Sequence, residues 1–207
     1  MNDLSLRIKT SMLLISVYGI SIYLGGTFFL IVLLITLLLI FIELTRLIKF
    51  QHSPALFLAV LFGICFSVFH LSNIGINNVK ILMFIVAVVV ITDIFGYLFG
   101  RLVGGIKVLP FISPGKTWSG VISGWFGAML VGFFAQMIFV DFKFGVLASL
   151  GLSISAQLGD FFESFLKRRA GIKDSSQFLP GHGGFLDRFD GMLGASFFYG
   201  LVLIWYM

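Results

Sequence analysis

From Ser11 to Ile42 the chain runs for 32 residues without one charged side chain. As a single helix this run would be about 48 Å long at 1.5 Å per residue. That is too long for one crossing of a hydrocarbon core about 30 Å thick. Gly25-Gly26 falls in its middle, so the run predicts two helices joined by a tight turn. At about 14 residues each they would be short against the roughly 20 that a crossing needs, and partly re-entrant. Arg7 and Lys9 precede the run, and Arg46 and Lys49 follow it. Placing both basic flanks on one side of a membrane requires an even number of crossings, which a hairpin provides.

The totals carry the same message. The 207 residues are 59% hydrophobic and 11% charged, with a mean hydropathy of +1.10, values that exclude an ordinary soluble domain. No stretch is polar enough for long enough to form a second, soluble unit. Residues 1–207 therefore read as one membrane domain, with N-terminal helices over 11–70 and the chemistry-bearing part over 79–207. The net charge of +5 fits basic cytoplasmic loops facing anionic headgroups better than nucleic acid. Cys65 is alone, which excludes an intrachain disulfide or a cysteine metal site. The N-terminal residues read as the lead into a first span, not a removable signal.

Further spans are expected at about 54–70, 79–99, 121–140, 144–165 and 191–207. They are separated by a polar turn at 71–78, a basic glycine- and proline-broken loop at 101–120, and a short turn at 141–143. Segments 1–10, 43–53, 101–117 and 167–188 carry 2, 2, 3 and 5 of the fourteen Lys and Arg residues. Only Lys80 and Lys143 fall on the opposite side. The positive-inside rule then predicts an all-α, polytopic helical bundle of about seven spans, with a cytoplasmic N-terminus.

Several acidic residues sit where hydrocarbon should be. Asp93 lies inside an apolar span, where an ionised carboxylate costs about 2.5 to 3.5 kcal/mol unless it is paired or wet. Tyr97 follows one turn on and Arg101 closes the segment, so this face points to a polar site; a protonated acid bonded to a neighbouring helix is the bland alternative. Gln157, Asp160, Ser164 and Lys167 share one helical face, with Glu163 a turn beyond Asp160. Snorkelling charges at an interface explain Lys167 to Arg169 but not Asp160. Asp187 and Asp190 are one turn apart, and with Asp160 from another helix they would suit Mg²⁺. D-x-x-D also arises as a plain solvated face.

The densest segment is Ser164–Asp190, which holds five of the fourteen basic residues. Within it, Pro180-Gly181-His182-Gly183-Gly184 cannot be regular helix, and its glycines could let backbone N–H groups approach phosphate. Ser113-Pro114-Gly115-Lys116-Thr117 is a second short polar loop with a lysine and two hydroxyls, although it is not a Walker A sequence. Carboxylates for a divalent cation, cations for anionic oxygens and a glycine turn are the equipment of phosphoryl or nucleotidyl transfer.

The pattern S-x-L-K-R-x4-K-D-x-S-x2-L-P-x-H-G-G-F-x-D-R-F-D, from Ser164 to Asp190, resembles the signature of the CDP-diacylglycerol synthases (phosphatidate cytidylyltransferases) at every position. Asp93-x3-Tyr97-x2-Gly100-Arg101, the Ser113–Thr117 loop and Gly159-Asp160-x2-Glu163-Ser164 also resemble that family, so the likeness covers roughly the C-terminal half. It implies CTP + phosphatidate → CDP-diacylglycerol + diphosphate with Mg²⁺, and leaves room for a second, monovalent cation. Carried over, Asp160 and Asp187 match metal-binding aspartates, and Asp190 is grouped with them as a third carboxylate. Asp190, Lys173, Asp174, His182 and Arg188 match signature positions around the nucleotide. Gly183, Gly184, Ser113 and Thr117 belong to the same matched loops. Lys116, Lys167, Arg168 and Arg169 are candidates to hold the lipid phosphate.

The resemblance also implies an inner or plasma membrane location with a cytoplasmic site, surrounding lipid as a partner, and a homodimer. Two positions depart from the expected S-P-K-K-T-x-E-G loop: Gly115 replaces a lysine and Ser119 a glutamate. The alternatives are a related CTP-dependent enzyme, such as a polyprenol kinase or an archaeal CDP-lipid synthase, and a non-enzymatic transporter.

Overall fold

The computed structural model describes residues 3–49, 54–138 and 145–206. Among these, seven helices follow one another: α1 (Asp3–Leu24), α2 (Gly26–Lys49), α3 (Pro54–Asn77), α4 (Val79–Leu102), α5 (Trp118–Ile138), α6 (Gly145–Arg169) and α7 (Leu186–Tyr206). A two-stranded antiparallel hairpin, β1 (Lys107–Leu109) and β2 (Ser113–Thr117), is set between α4 and α5. The chain is thus an all-α bundle with one small sheet. Within α2, α4, α5 and α6 lie segments long and apolar enough to cross a membrane. Large apolar side chains such as Ile15, Phe62, Leu147 and Trp205 point outward, as hydrocarbon solvent permits and water does not.

The long apolar run breaks where its glycines predict. Gly25 lies between α1 and α2 with φ +62°, and Gly26 follows at φ +49°. The two helices are longer than expected, at 22 and 24 residues, because each continues through its charged flank. Similarly, α3 runs to Asn77 through the expected polar turn, Asn78 caps α4 by accepting from Ile81 N, and α6 extends to Arg169. The expected turn at 141–143 lies outside the described residues.

Small residues set the helix spacing. The buried face of α5 is Gly120, Val121, Gly124, Gly127, Ala128 and Gly132, the spacing that lets membrane helices approach closely. A Cβ at Gly120 would fall 2.6 Å from Gly96 O on α4, and one at Gly132 would fall 2.3 Å from Gly145 O on α6. Helix α6 lies along α7, and α3 joins α7 to α2. One apolar core spans α2 to α7 around Leu82, Ile85, Val88 and Leu152, and a second joins Ile40, Leu44 and Leu47 of α2 to Ile64, Val68 and Leu186.

Up-and-down order brings one set of helix ends together: the start of α1, the ends of α2, α4 and α6, and the start of α7. Thr10 and Arg46, from opposite ends of the first hairpin, both touch the 170–185 loop, at His182 and Phe178. Both basic flanks therefore share one end of the bundle.

Candidate active site

Glycine again decides how closely the central carboxylates meet. A Cβ at Gly159 would lie 2.5 Å from Asp190 O and 3.2 Å from Gly194 Cα. Without it α6 and α7 touch, and Asp160 and Glu163 come alongside Asp190. One oxygen from each of these three lies within 4.8 Å of the others. Oxygens sharing a Mg²⁺ ion at about 2.1 Å are about 3 to 4 Å apart, so small side-chain adjustments would let this set hold one.

Asp160 is ion-paired with Lys116 of β2, whose ammonium also stands 4.4 Å from the centre of the Phe161 ring. Ser164 Oγ lies 3.4 Å from Asp160 Oδ1. The site face of α4 also carries charge: Asp93 is accessible, and the charges of Asp160, Lys116 and Arg188 act on it. Asp190 in turn feels Asp160, Asp93 and Lys116. Asp93, Asp160, Lys116, Arg188 and Asp190 thus form one electrostatic group drawn from α4, β2, α6 and α7.

Asp187 lies in different surroundings. Its Oδ1 accepts from Lys167 Nζ at 2.6 Å, and its Oδ2 accepts from Gly184 N at 2.7 Å and from Ser175 N and Oγ at 3.0 Å each. Sequence spacing groups Asp160, Asp187 and Asp190 around a cation. The structure brings Asp160 and Asp190 together with Glu163, and turns Asp187 Oδ2 to the loop donors of Ser175 and Gly184 and its Oδ1 to Lys167, beside Glu163. Lys167, expected at the lipid phosphate, is mostly buried, 2.5 Å from Glu163 Oε2 as well as bonded to Asp187.

Glu43 is the residue that sequence reasoning missed. It is fully buried at the end of α2 and accepts from Leu186 N at 2.7 Å, Phe185 N at 2.9 Å, Ser176 Oγ at 2.6 Å and Ser175 Oγ at 3.0 Å. It satisfies N–H groups that the first turn of α7 leaves without intrahelical partners. The available signal was a lone glutamate closing a 32-residue uncharged run, adjacent to the basic flank.

The Pro180–Gly184 loop turns through Gly181 at φ +78° and Gly183 at φ +86°. The His182 ring is bracketed by α1, with Thr10 Oγ1 2.5 Å from Nδ1 and Ser11 Oγ 3.1 Å from Nε2. Partial burial, and then the Arg188 and Arg7 cations, hold its pKa below the ordinary imidazole value. Arg188 donates to His182 O from Nε at 3.0 Å and Nη2 at 2.7 Å. Arg168 Nε donates to Ile112 O at 3.2 Å, tying α6 to the hairpin. In that hairpin Thr117 Oγ1 is 2.9 Å from Ser119 Oγ, while Ser113 begins β2. Tyr97 OH accepts from Arg101 Nη1 at 3.0 Å, both side chains being exposed. Lys173 and Asp174 are exposed in the loop, and among the described residues neither makes a side-chain hydrogen bond.

The assembled end of the bundle can neutralise and orient polyanions. It offers clustered carboxylates for a hard cation and, around them, the cations of Lys116, Lys173, Arg168 and Arg188. Residues 50–205 match the cytidylyltransferase family. The chain is 47% identical over 117 residues to a phosphatidate cytidylyltransferase of Brucella abortus biovar 1 (strain 9-941), a stretch that is 56% of this chain and 43% of that protein. It is 48% identical over 110 residues to a phosphatidate cytidylyltransferase of Staphylococcus aureus (strain COL), covering 51% and 42% of the two chains. The matched stretch thus spans about two fifths of the length of these curated relatives.

Proposed function

The chain belongs to the cytidylyltransferase family, and on that basis we propose that it transfers the cytidylyl group of CTP to phosphatidate. The products are CDP-diacylglycerol and diphosphate, for phospholipid synthesis. The observation that carries this reading is the convergence of Asp160, Glu163 and Asp190 beside Lys116, inside a chain segment close to two phosphatidate cytidylyltransferases.

In the reaction a phosphate oxygen of the lipid attacks the α-phosphorus of CTP. The bond from that phosphorus to the bridging oxygen of the β-phosphate breaks, and diphosphate leaves with the electron pair. The attacking oxygen is already anionic at neutral pH, so no protein nucleophile is required. Mg²⁺ held by Asp160, Glu163 and Asp190 would supply charge neutralisation to the phosphates. Lys116 stands against Asp160 on the open side, placed to pass to a phosphate oxygen. Lys173, Arg168 and Arg188 lie at the rim, where they would hold the leaving diphosphate by charge-assisted hydrogen bonds.

The positive-inside distribution supports a cytoplasmic site, since both basic flanks and the signature loop occupy one end of the bundle. The deciding experiment incubates purified protein in detergent with CTP labelled at the α- or γ-phosphate, and with phosphatidate, a polyprenol or an archaeal lipid phosphate. Label reaching phosphatidate from the α-phosphate only, and only with Mg²⁺, is the expected result. Lipid labelling from the γ-phosphate would identify a kinase and overturn the proposal.

A further inference from the structure

An apolar slot lies beside the carboxylates. Ala59 and Gly63 on α3, Gly159 on α6 and Gly194 on α7 border a cavity of about 650 Å³ between these three helices. At one end its wall is formed by Glu163 and Asp190, two members of the carboxylate cluster. Elsewhere the lining is almost wholly apolar, including Phe162, Leu193, Phe197 and Leu201.

Along α7 the slot runs from Leu186 to Leu201, about 22 Å at 1.5 Å per residue. One leaflet of a hydrocarbon core is about 15 Å deep, so the slot is long enough for a lipid chain. Its volume is in the usual range for a ligand pocket, about 300 to 1,000 Å³. Water gains little in so apolar a space. A molecule that is anionic at one end and hydrocarbon along its length matches both parts: carboxylates that a cation would bridge, with Lys116 beside Asp160 at the head, and aliphatic and aromatic walls behind.

We propose that this slot between α3, α6 and α7 binds one hydrocarbon chain of the lipid phosphate substrate, and so sets chain-length preference. The inference rests on the cytidylyl-transfer reading and adds where the lipid lies. The commitment to the substrate's own chain comes from continuity: near one end the slot is walled by Glu163 and Asp190, carboxylates of the cluster proposed to act on its phosphate.

Gly63 provides the test, because a Cβ there meets nothing within 4 Å. Gly63→Leu would project a side chain from α3 into the slot, its Cβ meeting nothing. Gly19→Leu, on α1 and equally open, is the control outside the slot. With CTP saturating, Gly63→Leu is expected to raise KM for dioleoyl phosphatidate about tenfold, the loss of about two buried methylenes. KM for dihexanoyl phosphatidate and for CTP should stay unchanged, and Gly19→Leu should alter none of them. No change, or an equal change with both lipids, would overturn the proposal and point to bulk lipid or another helix in the slot.

A phosphatidate carrying a terminal diazirine supplies a readout independent of turnover. Photolabelling of the Phe197–Leu201 segment, lost in Gly63→Leu, is expected, whereas label confined to outward faces would overturn the proposal. An inactive wild-type protein would refute the reaction, and the crosslink would still decide the slot.

Discussion

The carboxylate of Glu43 lies 2.7 Å from the backbone nitrogen of Leu186, 143 positions later in the chain. That contact fastens the end of α2 to the start of α7, the helix that carries Asp187 and Asp190. Glu43→Ala would leave the backbone N–H groups of Phe185 and Leu186 and the Ser176 hydroxyl short of an acceptor, while Ser175 Oγ would keep Asp187 Oδ2. The expected cost is about 3 kcal/mol, from unsatisfied buried donors at about 1 to 3 kcal/mol each with partial relaxation. Glu43→Gln should recover only part, because its amide nitrogen would face donors. Thermal unfolding in detergent reads both variants; an unchanged Tm for Glu43→Ala would contradict the role.

Gly184 is fixed by the same carboxylate. A Cβ there would lie 2.0 Å from Ser175 Oγ and 2.5 Å from Glu43 Oε1, below any tolerable contact. Gly184→Ala is therefore expected to displace the loop, with poor recovery of folded protein and loss of turnover. Gly171→Ala, where φ is +71° but nothing lies within 4 Å, should cost only about 1 kcal/mol of backbone strain. Comparing monodisperse yield and Tm of the two tests steric need against conformational need.

The helical architecture was legible because hydrocarbon solvent leaves a simple code: apolar runs, glycine breaks and basic flanks. Gly25 breaks the first run as expected, and Asp187 and Asp190 sit in the first turns of α7. Helix ends were less legible, since backbone bonding carries α1, α2 and α6 through charged residues that mark only the edge of the apolar core. The partition of carboxylates was legible in part: Asp160 and Asp190 were expected to share a cation and do approach one another, with Glu163 as the third member. Spacing puts Asp187 and Asp190 on one face, but the 170–185 loop folds its N–H groups onto Asp187 and leaves Asp190 to meet Glu163. Glu43 was missed because its partners are backbone atoms of a distant loop, which no local pattern records.

The Gly115 departure has a direct physical consequence. Gly115 is exposed on β2 and a side chain there would meet nothing within 4 Å. Gly115→Lys should fold normally and place a second cation beside Lys116. An exposed charge of this kind contributes about 0.2 to 1 kcal/mol, so KM for CTP should fall by a factor of about 1.4 to 5 at low salt. The gain should fade as ionic strength rises. Kinetics at two salt concentrations check both statements.

His182 confers a pH dependence whose sign is fixed. Its folded pKa lies below the ordinary value because burial and the Arg188 and Arg7 cations disfavour the imidazolium. The unfolded chain therefore takes up a proton first, at about pH 6.5. Stability from the neutral ring is complete above that pH and declines as pH falls through the folded pKa. Tm should drop between about pH 6.5 and 5 in the native protein, and less steeply in His182→Asn. Parallel curves for the two proteins would exclude His182 as the source.

Two kinds of carboxylate at the head of α6 and α7 should separate experimentally. Asp160→Asn, Glu163→Gln and Asp190→Asn each remove charge from the cluster whose oxygens lie within 4.8 Å of one another. Each should raise the Mg²⁺ concentration for half-maximal turnover at least about tenfold, the usual scale for damage to a metal site. Asp187→Asn keeps one oxygen for the Ser175 and Gly184 donors but loses the ion pair with Lys167. It should lower stability by about 2 kcal/mol and leave the Mg²⁺ requirement near that of the native protein. Mg²⁺ titrations of turnover, set beside Mn²⁺ binding measured by calorimetry without nucleotide, distinguish the two roles. A Mg²⁺ requirement raised equally by Asp187→Asn would return Asp187 to the cation site, as its signature position implies. Under that outcome the bonds from Lys167, Ser175 and Gly184 would describe the metal-free arrangement of the same carboxylate.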